Sequence, residues 1–154
     1  MTRRELLGLG AIVVVGMKTY PQTATMTGVK ALVFDTFGTV VDWRTSVAAE
    51  VAALAKHGGL PWDVILGAEL VRHYKPDREV YQSAADILDL QPAEVMMVAA
   101  HLGDLRAAKG VGLKTAFVTR PLEYGPEGKP DLKADASVDV SAKDFNDLAA
   151  QLGA

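Results

Sequence analysis

The chain has 154 residues, a formal net charge of −3 and no cysteine. Its length suits one domain with a buried core, and a composition 49% hydrophobic and 23% charged describes a globular protein. The lysines and arginines are scattered, which gives no basic face for nucleic acid, and the lack of cysteine removes disulfides, thiolate nucleophiles and zinc–thiolate sites together.

The N-terminus differs in character from the rest of the chain. Arg3-Arg4 precede an apolar run that ends at Gly16, which gives the charged and hydrophobic parts of a twin-arginine-like export signal. The run is too short to span a membrane. The alternative is that translation starts at Met26, just ahead of the first strand of the domain. Either way residues 1–25 are expected to contribute nothing to the fold, and residues 26–154 form the domain. The product is periplasmic if the signal is real and cytoplasmic if Met26 is the start.

From Val29 onward, strands and helices alternate. Val29–Phe34 is a continuous apolar run, as expected for a parallel strand covered on both faces, and it ends in Asp35 ahead of a turn at Gly38. A helix over about Ser46–His57 and a short strand over Val64–Leu66 come next. Pro76 stands at the next helix start, with Asp77 and Glu79 in the first turn and Val80, Ala84, Ile87 and Leu88 at helical spacing. That helix ends near Asp89. Val95–Ala99 reads as a buried strand, Asp104–Lys109 as a short helix stopped by Gly110, and Leu113–Val118 as another strand. Three prolines and two glycines make Pro121–Lys133 an irregular loop. Ser137–Val140 is the last strand, and Ser141 is expected to cap a closing helix whose inner face carries Phe145, Leu148, Ala149 and Leu152. The alternation predicts an α/β fold, a three-layer αβα sandwich on a parallel, Rossmann-like sheet with right-handed crossovers.

The segment Val33-Phe34-Asp35-Thr36-Phe37-Gly38-Thr39-Val40-Val41-Asp42-Trp43 places a carboxylate at the carboxyl end of a strand, where open α/β sheets keep their ligands. It resembles the nucleophile motif of the haloacid dehalogenase superfamily, in particular its 2-haloacid dehalogenase branch. His73–Tyr81 resembles the family's lysine segment, Val98–Leu105 its acidic loop, and Gly112–Pro121 continues the match in order. The resemblance implies a hydrolase that converts 2-haloalkanoic acids to 2-hydroxy acids through an ester on Asp35. It gives Lys75 the task of offsetting carboxylate charge and Asp104 that of orienting water or positioning the lysine. Thr39 would hydrogen-bond near the nucleophile, or simply cap the turn. Tyr81 matches a tyrosine near the lysine, a place where core packing would serve equally.

Phe37 and His101 fall on the substrate side of the implied site. Superfamily phosphatases carry an Asp at the position of Phe37, as the acid for a leaving oxygen. A halide needs no proton to leave, so Phe37 favours carbon–halogen chemistry. His101 stands where these dehalogenases often have Asn, and Ala99 and Ala100 where a serine is common. A magnesium site would need further carboxylates, of which only Asp104 is at hand, with Ala108 where phosphatases offer another acid. No metal and no cofactor are therefore expected.

The middle of the chain departs from the family pattern. Only 40 positions separate Asp35 from Lys75, which leaves no room for the family's helical cap domain. No Ser or Thr occurs from Val47 to Gln82, so the hydroxyl of the family's second motif has no candidate. Arg44 is too close to Asp35 to be the cap's carboxylate clamp and reads as a solvated residue at a helix start. Deletion of the cap and second motif explains this better than divergence, and Ala52–Asp63 reads as the junction. Three functions stay open: a dehalogenase impaired by the deletion, acting on a small 2-halo acid; a silent relic or binding protein that keeps the sheet; and a small capless phosphatase. Losing an internal strand alters a sheet edge, and homodimerisation is one way to cover it.

Overall fold

The computed structural model describes residues 12–15, 28–35, 62–66 and 68–153. The strands are β1 (Ile12–Val15), β2 (Ala31–Asp35), β3 (Trp62–Leu66), β4 (Val95–Ala99), β5 (Lys114–Val118) and β6 (Val140–Ala142). The helices are α1 (Ala68–Val71), α2 (Arg78–Ile87), α3 (Leu102–Gly110) and α4 (Phe145–Leu152). One sheet runs in the order β3-β1-β2-β4-β5-β6. Its four strands from β2 to β6 are parallel.

The sheet divides two apolar clusters. Ala31, Val33, Met97, Ala99 and Phe117 pack on one face with Val80, Tyr81 and Ala84 of α2 and Leu105 and Ala108 of α3. Met96, Val98, Ala116 and Val118 pack on the other with Leu148, Phe145 and Leu152 of α4. This is the three-layer αβα arrangement expected from the alternation, because a strand covered on both faces must be apolar at every position. β4 is the clearest case, with all five residues buried. The amphipathic α2 buries Val80, Tyr81, Ala84 and Ala85 and exposes Asp86 and Ile87.

Several boundaries differ from the sequence reading. Ile12–Val15 was expected to stand outside the fold, yet it forms β1, antiparallel to both β2 and β3. The sheet is therefore not parallel throughout. Four consecutive β-branched residues fit a strand as well as they fit a leader, and β2 needs a partner for the N–H and C=O groups on its outer edge. α2 starts at Arg78 rather than Pro76, because Asp77 N donates to Tyr74 O and closes a turn around the cis Lys75–Pro76 bond. α3 starts two residues earlier than expected, at Leu102. Ser141 lies inside β6 instead of capping α4, and Asp144 takes that role by accepting from Asp147 N at 2.7 Å. Asp139 is held by Thr115 N and Oγ1, which delays the start of β6 to Val140. The helix expected over Ser46–His57 lies outside the described residues. Among the described residues no helix is long and apolar enough to cross a membrane.

Candidate active site

Asp35 is the last residue of β2, and its side chain is 9% exposed. The parallel strand β4 ends at Ala99, two residues before His101, and Asp104 lies in the first turn of α3, where the helix dipole favours a carboxylate. Lys75 comes from the turn before α2, and Tyr81 from the buried face of α2. Glu123 and Tyr124 follow β5. All converge on the carboxyl edge of the parallel strands, the place where an α/β sheet collects functional groups.

Lys75 Nζ lies 2.7 Å from Asp35 Oδ1 and 3.0 Å from Asp104 Oδ2. Tyr81 donates its hydroxyl to Asp104 Oδ1 at 2.7 Å, so Asp104 is held from two sides. His101 Nδ1 lies 2.9 Å from Asp35 Oδ2, and its Nε2 lies 2.7 Å from Glu123 Oε1. Tyr124 Oη stands 3.4 Å from the same Nε2. A carboxylate can only accept, and a carboxyl group at each ring nitrogen favours the doubly protonated imidazolium.

The electrostatics arise from these contacts. Burial pushes the Asp35 carboxyl upward, but the His101 hydrogen bond and the Lys75 charge outweigh it and bring the pKa down to about 2. His101 is raised to about 9, first by its bond to Asp35 and, against burial, by Glu123. Lys75 is desolvated, which lowers its pKa, yet the charges of Asp35 and Asp104 raise it on balance. Tyr81 is raised by burial and by its bond to Asp104, which keeps the hydroxyl a donor.

Asp35, His101 and Asp104 offer ligand atoms within 4.8 Å of one another. The set does not suit a divalent cation, because the Lys75 ammonium already bridges the two carboxylates and His101 is protonated at the nitrogen facing Asp35. His73, Asp77 and Glu79 form a second, more exposed group that shares no residue with the first.

Of the residues singled out by sequence, the structure thus brings together Asp35, Lys75, Tyr81, Asp104 and His101. Phe37 and Thr39 lie outside the described residues. Glu123 and Tyr124 were missed. The one signal for Glu123 was weak: it is an acid in the loop that follows a buried parallel strand, five positions past the strand end rather than on it as Asp35 is.

Residues 54–118 match the family model described as haloacid dehalogenase-like hydrolase. The L-2-haloacid dehalogenase PA0810 superposes with a TM-score of 0.62 at 53% identity, over 68% of this chain and 46% of that one. The defluorinating L-2-haloacid dehalogenase Rha0230 superposes with a TM-score of 0.63 at 51% identity, over 69% of this chain and 43% of that one. Among curated proteins, (S)-2-haloacid dehalogenase 1 of Pseudomonas sp. (strain CBS-3) is 37% identical over 65 residues, 40% of this chain and 29% of the relative. Pyrophosphatase PpaX of Bacillus cereus (strain G9842) is 34% identical over 82 residues, 51% of this chain and 38% of the relative. The chain spans less than half the length of each of these proteins.

Proposed function

For a chain that is a relative of the haloacid dehalogenase-like hydrolases and has an α/β core similar to that of L-2-haloacid dehalogenases, we propose the ester-forming chemistry of a 2-haloacid dehalogenase centred on Asp35. The observation that carries this reading is the state of Asp35: an ionised, nearly buried carboxylate at a strand end, with a cation at each oxygen. A desolvated and positioned carboxylate is a competent nucleophile toward carbon. One Asp35 oxygen forms the C–O bond, and the halide leaves with the electron pair of the C–X bond. Water then attacks the acyl carbon of the ester. Asp104, fixed by Tyr81 and Lys75, takes the proton of that water and returns it to the departing alkoxide, which leaves as the 2-hydroxy acid.

The described residues lack one part of that chemistry. Asp35, Asp104 and Glu123 outnumber Lys75 and His101, so the cluster offers no spare positive charge to an anionic 2-halo acid. Together with a 40-position interval that is short for the family's helical cap, this predicts halide release orders of magnitude slower than in a full-length relative. The likeness to PpaX supports a second reading, phosphate-ester or pyrophosphate hydrolysis, against which stands Phe37 at the position of the leaving-group acid.

The test measures halide release from 2-chloropropionate beside phosphate release from pyrophosphate and p-nitrophenyl phosphate, for the chain and for Asp35→Asn. Slow halide release that vanishes in the variant supports the dehalogenase reading. Phosphate release without halide replaces it with the second, and neither product makes the chain a silent relative.

A further inference from the structure

His101 joins Asp35 to a buried acid outside the motifs. Its ring spans Asp35 Oδ2 and Glu123 Oε1, with Nδ1 at 2.9 Å and Nε2 at 2.7 Å. The Glu123 side chain is only 3% exposed, so it is a fixed anchor rather than a mobile surface acid. The two cations on Asp35 are consequently unlike each other. Lys75 sits on a flexible stem and has a second carboxylate, Asp104, to hold it when it lets go of Oδ1. His101 cannot leave Oδ2 without breaking its short bond to Glu123 or turning the whole ring.

We infer that Glu123 is a positioning residue that keeps His101 doubly protonated on Asp35 Oδ2, so that Oδ1 is the attacking oxygen and Oδ2 becomes the carbonyl oxygen whose developing negative charge His101 stabilises. The inference rests on the dehalogenase reading. In the first step Oδ1 bonds to the substrate carbon and halide leaves with its electron pair. In the second, water adds to the acyl carbon, its proton passes to Asp104, and the electron pair of the C=O bond moves onto Oδ2, against the imidazolium. Collapse re-forms the carbonyl and expels the alkoxide, which takes the proton from Asp104, and the Asp35 acid so formed gives its remaining proton to solvent water and returns to the carboxylate. A charged donor held in place ahead of the reaction stabilises such an oxyanion without reorganisation. The groups facing His101 are Asp35 from β2, Glu123 and Tyr124 from the segment after β5, and Lys75 and Asp104 across the Asp35 carboxylate.

The experiment tracks the His101 ring by NMR across pH in the full chain and in Glu123→Gln, with His101→Asn to assign the signal. In the same proteins, enzyme in excess over 2-bromopropionate is quenched at intervals, and the alkylated Asp35 peptide is measured by mass. The unaltered chain is expected to titrate near 9 at His101, and Glu123→Gln to titrate lower by about a unit or more. At pH 8 the variant should form the ester at the same rate and lose it on the order of tenfold more slowly. A His101 that titrates at an ordinary value in the unaltered chain overturns the inference even if the variant fails to fold. Unchanged titration in the variant overturns it, and so does a lowered titration with unchanged ester decay. If the unaltered chain forms no ester, the dehalogenase reading falls and takes the oxygen assignment with it, while the titration still shows whether the Glu123–His101 coupling itself was at fault.

Discussion

Lys75 Nζ stands 3.0 Å from Asp104 Oδ2 while it bonds Asp35 Oδ1 at 2.7 Å, so a single ammonium keeps a carboxylate from the end of β2 and one from the first turn of α3 in one site. Without it the pair would face each other with no cation between them. Removing one partner of a buried ion pair costs about 3–5 kcal/mol, because the charge left behind is uncompensated. Lys75→Met is expected to lose about 3 kcal/mol at pH 7, read from urea midpoints, with Asp35 titrating above its value of about 2. A variant as stable as the parent would show that the carboxylates find another cation.

Tyr81 combines a fully buried ring with a hydroxyl on Asp104 at 2.7 Å. Tyr81→Phe keeps the packing and deletes the hydrogen bond to a charged group, which predicts a loss of about 1.5–3 kcal/mol. Halide release should fall as well, since among the described residues Asp104 then keeps only Lys75 to fix its direction. Equal stability with reduced turnover would place the hydroxyl in catalysis alone.

The pH dependence of stability has two limbs. The folded pKa of His101, about 9, lies above the ordinary value of 6.5, so its contribution is complete below about pH 6.5 and is lost as pH rises through 9. The folded pKa of Asp35, about 2, lies below 3.8, so its contribution is complete above about pH 4 and is lost as pH falls toward 2. Urea midpoints measured from pH 2 to 10 should decline at both ends. In His101→Asn the alkaline decline should flatten.

A chain beginning at Met26 lacks Ile12–Val15 and therefore loses the strand between β2 and β3. Its melting temperature should fall, or it should associate through the bared edge of β2. Differential scanning calorimetry with sedimentation checks both, and an unchanged monomeric transition would show that β1 is dispensable.

Much of the site was legible because its signals are local. Asp35, Lys75 and Asp104 each sit beside a strand end or helix start that apolar runs and turn residues announce. β1 was not legible, since a run such as Ile12–Val15 fits a leader or a strand equally until its partner is known. The bounds of β6 depended on Asp139 reaching Thr115 across the sheet, which no local pattern encodes. Glu123 was hidden for a related reason. Its segment, rich in proline and glycine, has no periodicity, and its partner His101 lies 22 positions back.

The contacts that build the site span 40, 29, 66 and 22 positions. None of them lies within one short segment, so each needs elements distant in sequence to have packed together. The complete network is therefore a report on the assembled sheet. The titration of His101 becomes a conformational gauge: beside a main signal that titrates near 9, a second signal at an ordinary histidine value marks molecules in which β4 and the segment after β5 have not come together. Partly folded species would be counted directly by that one resonance.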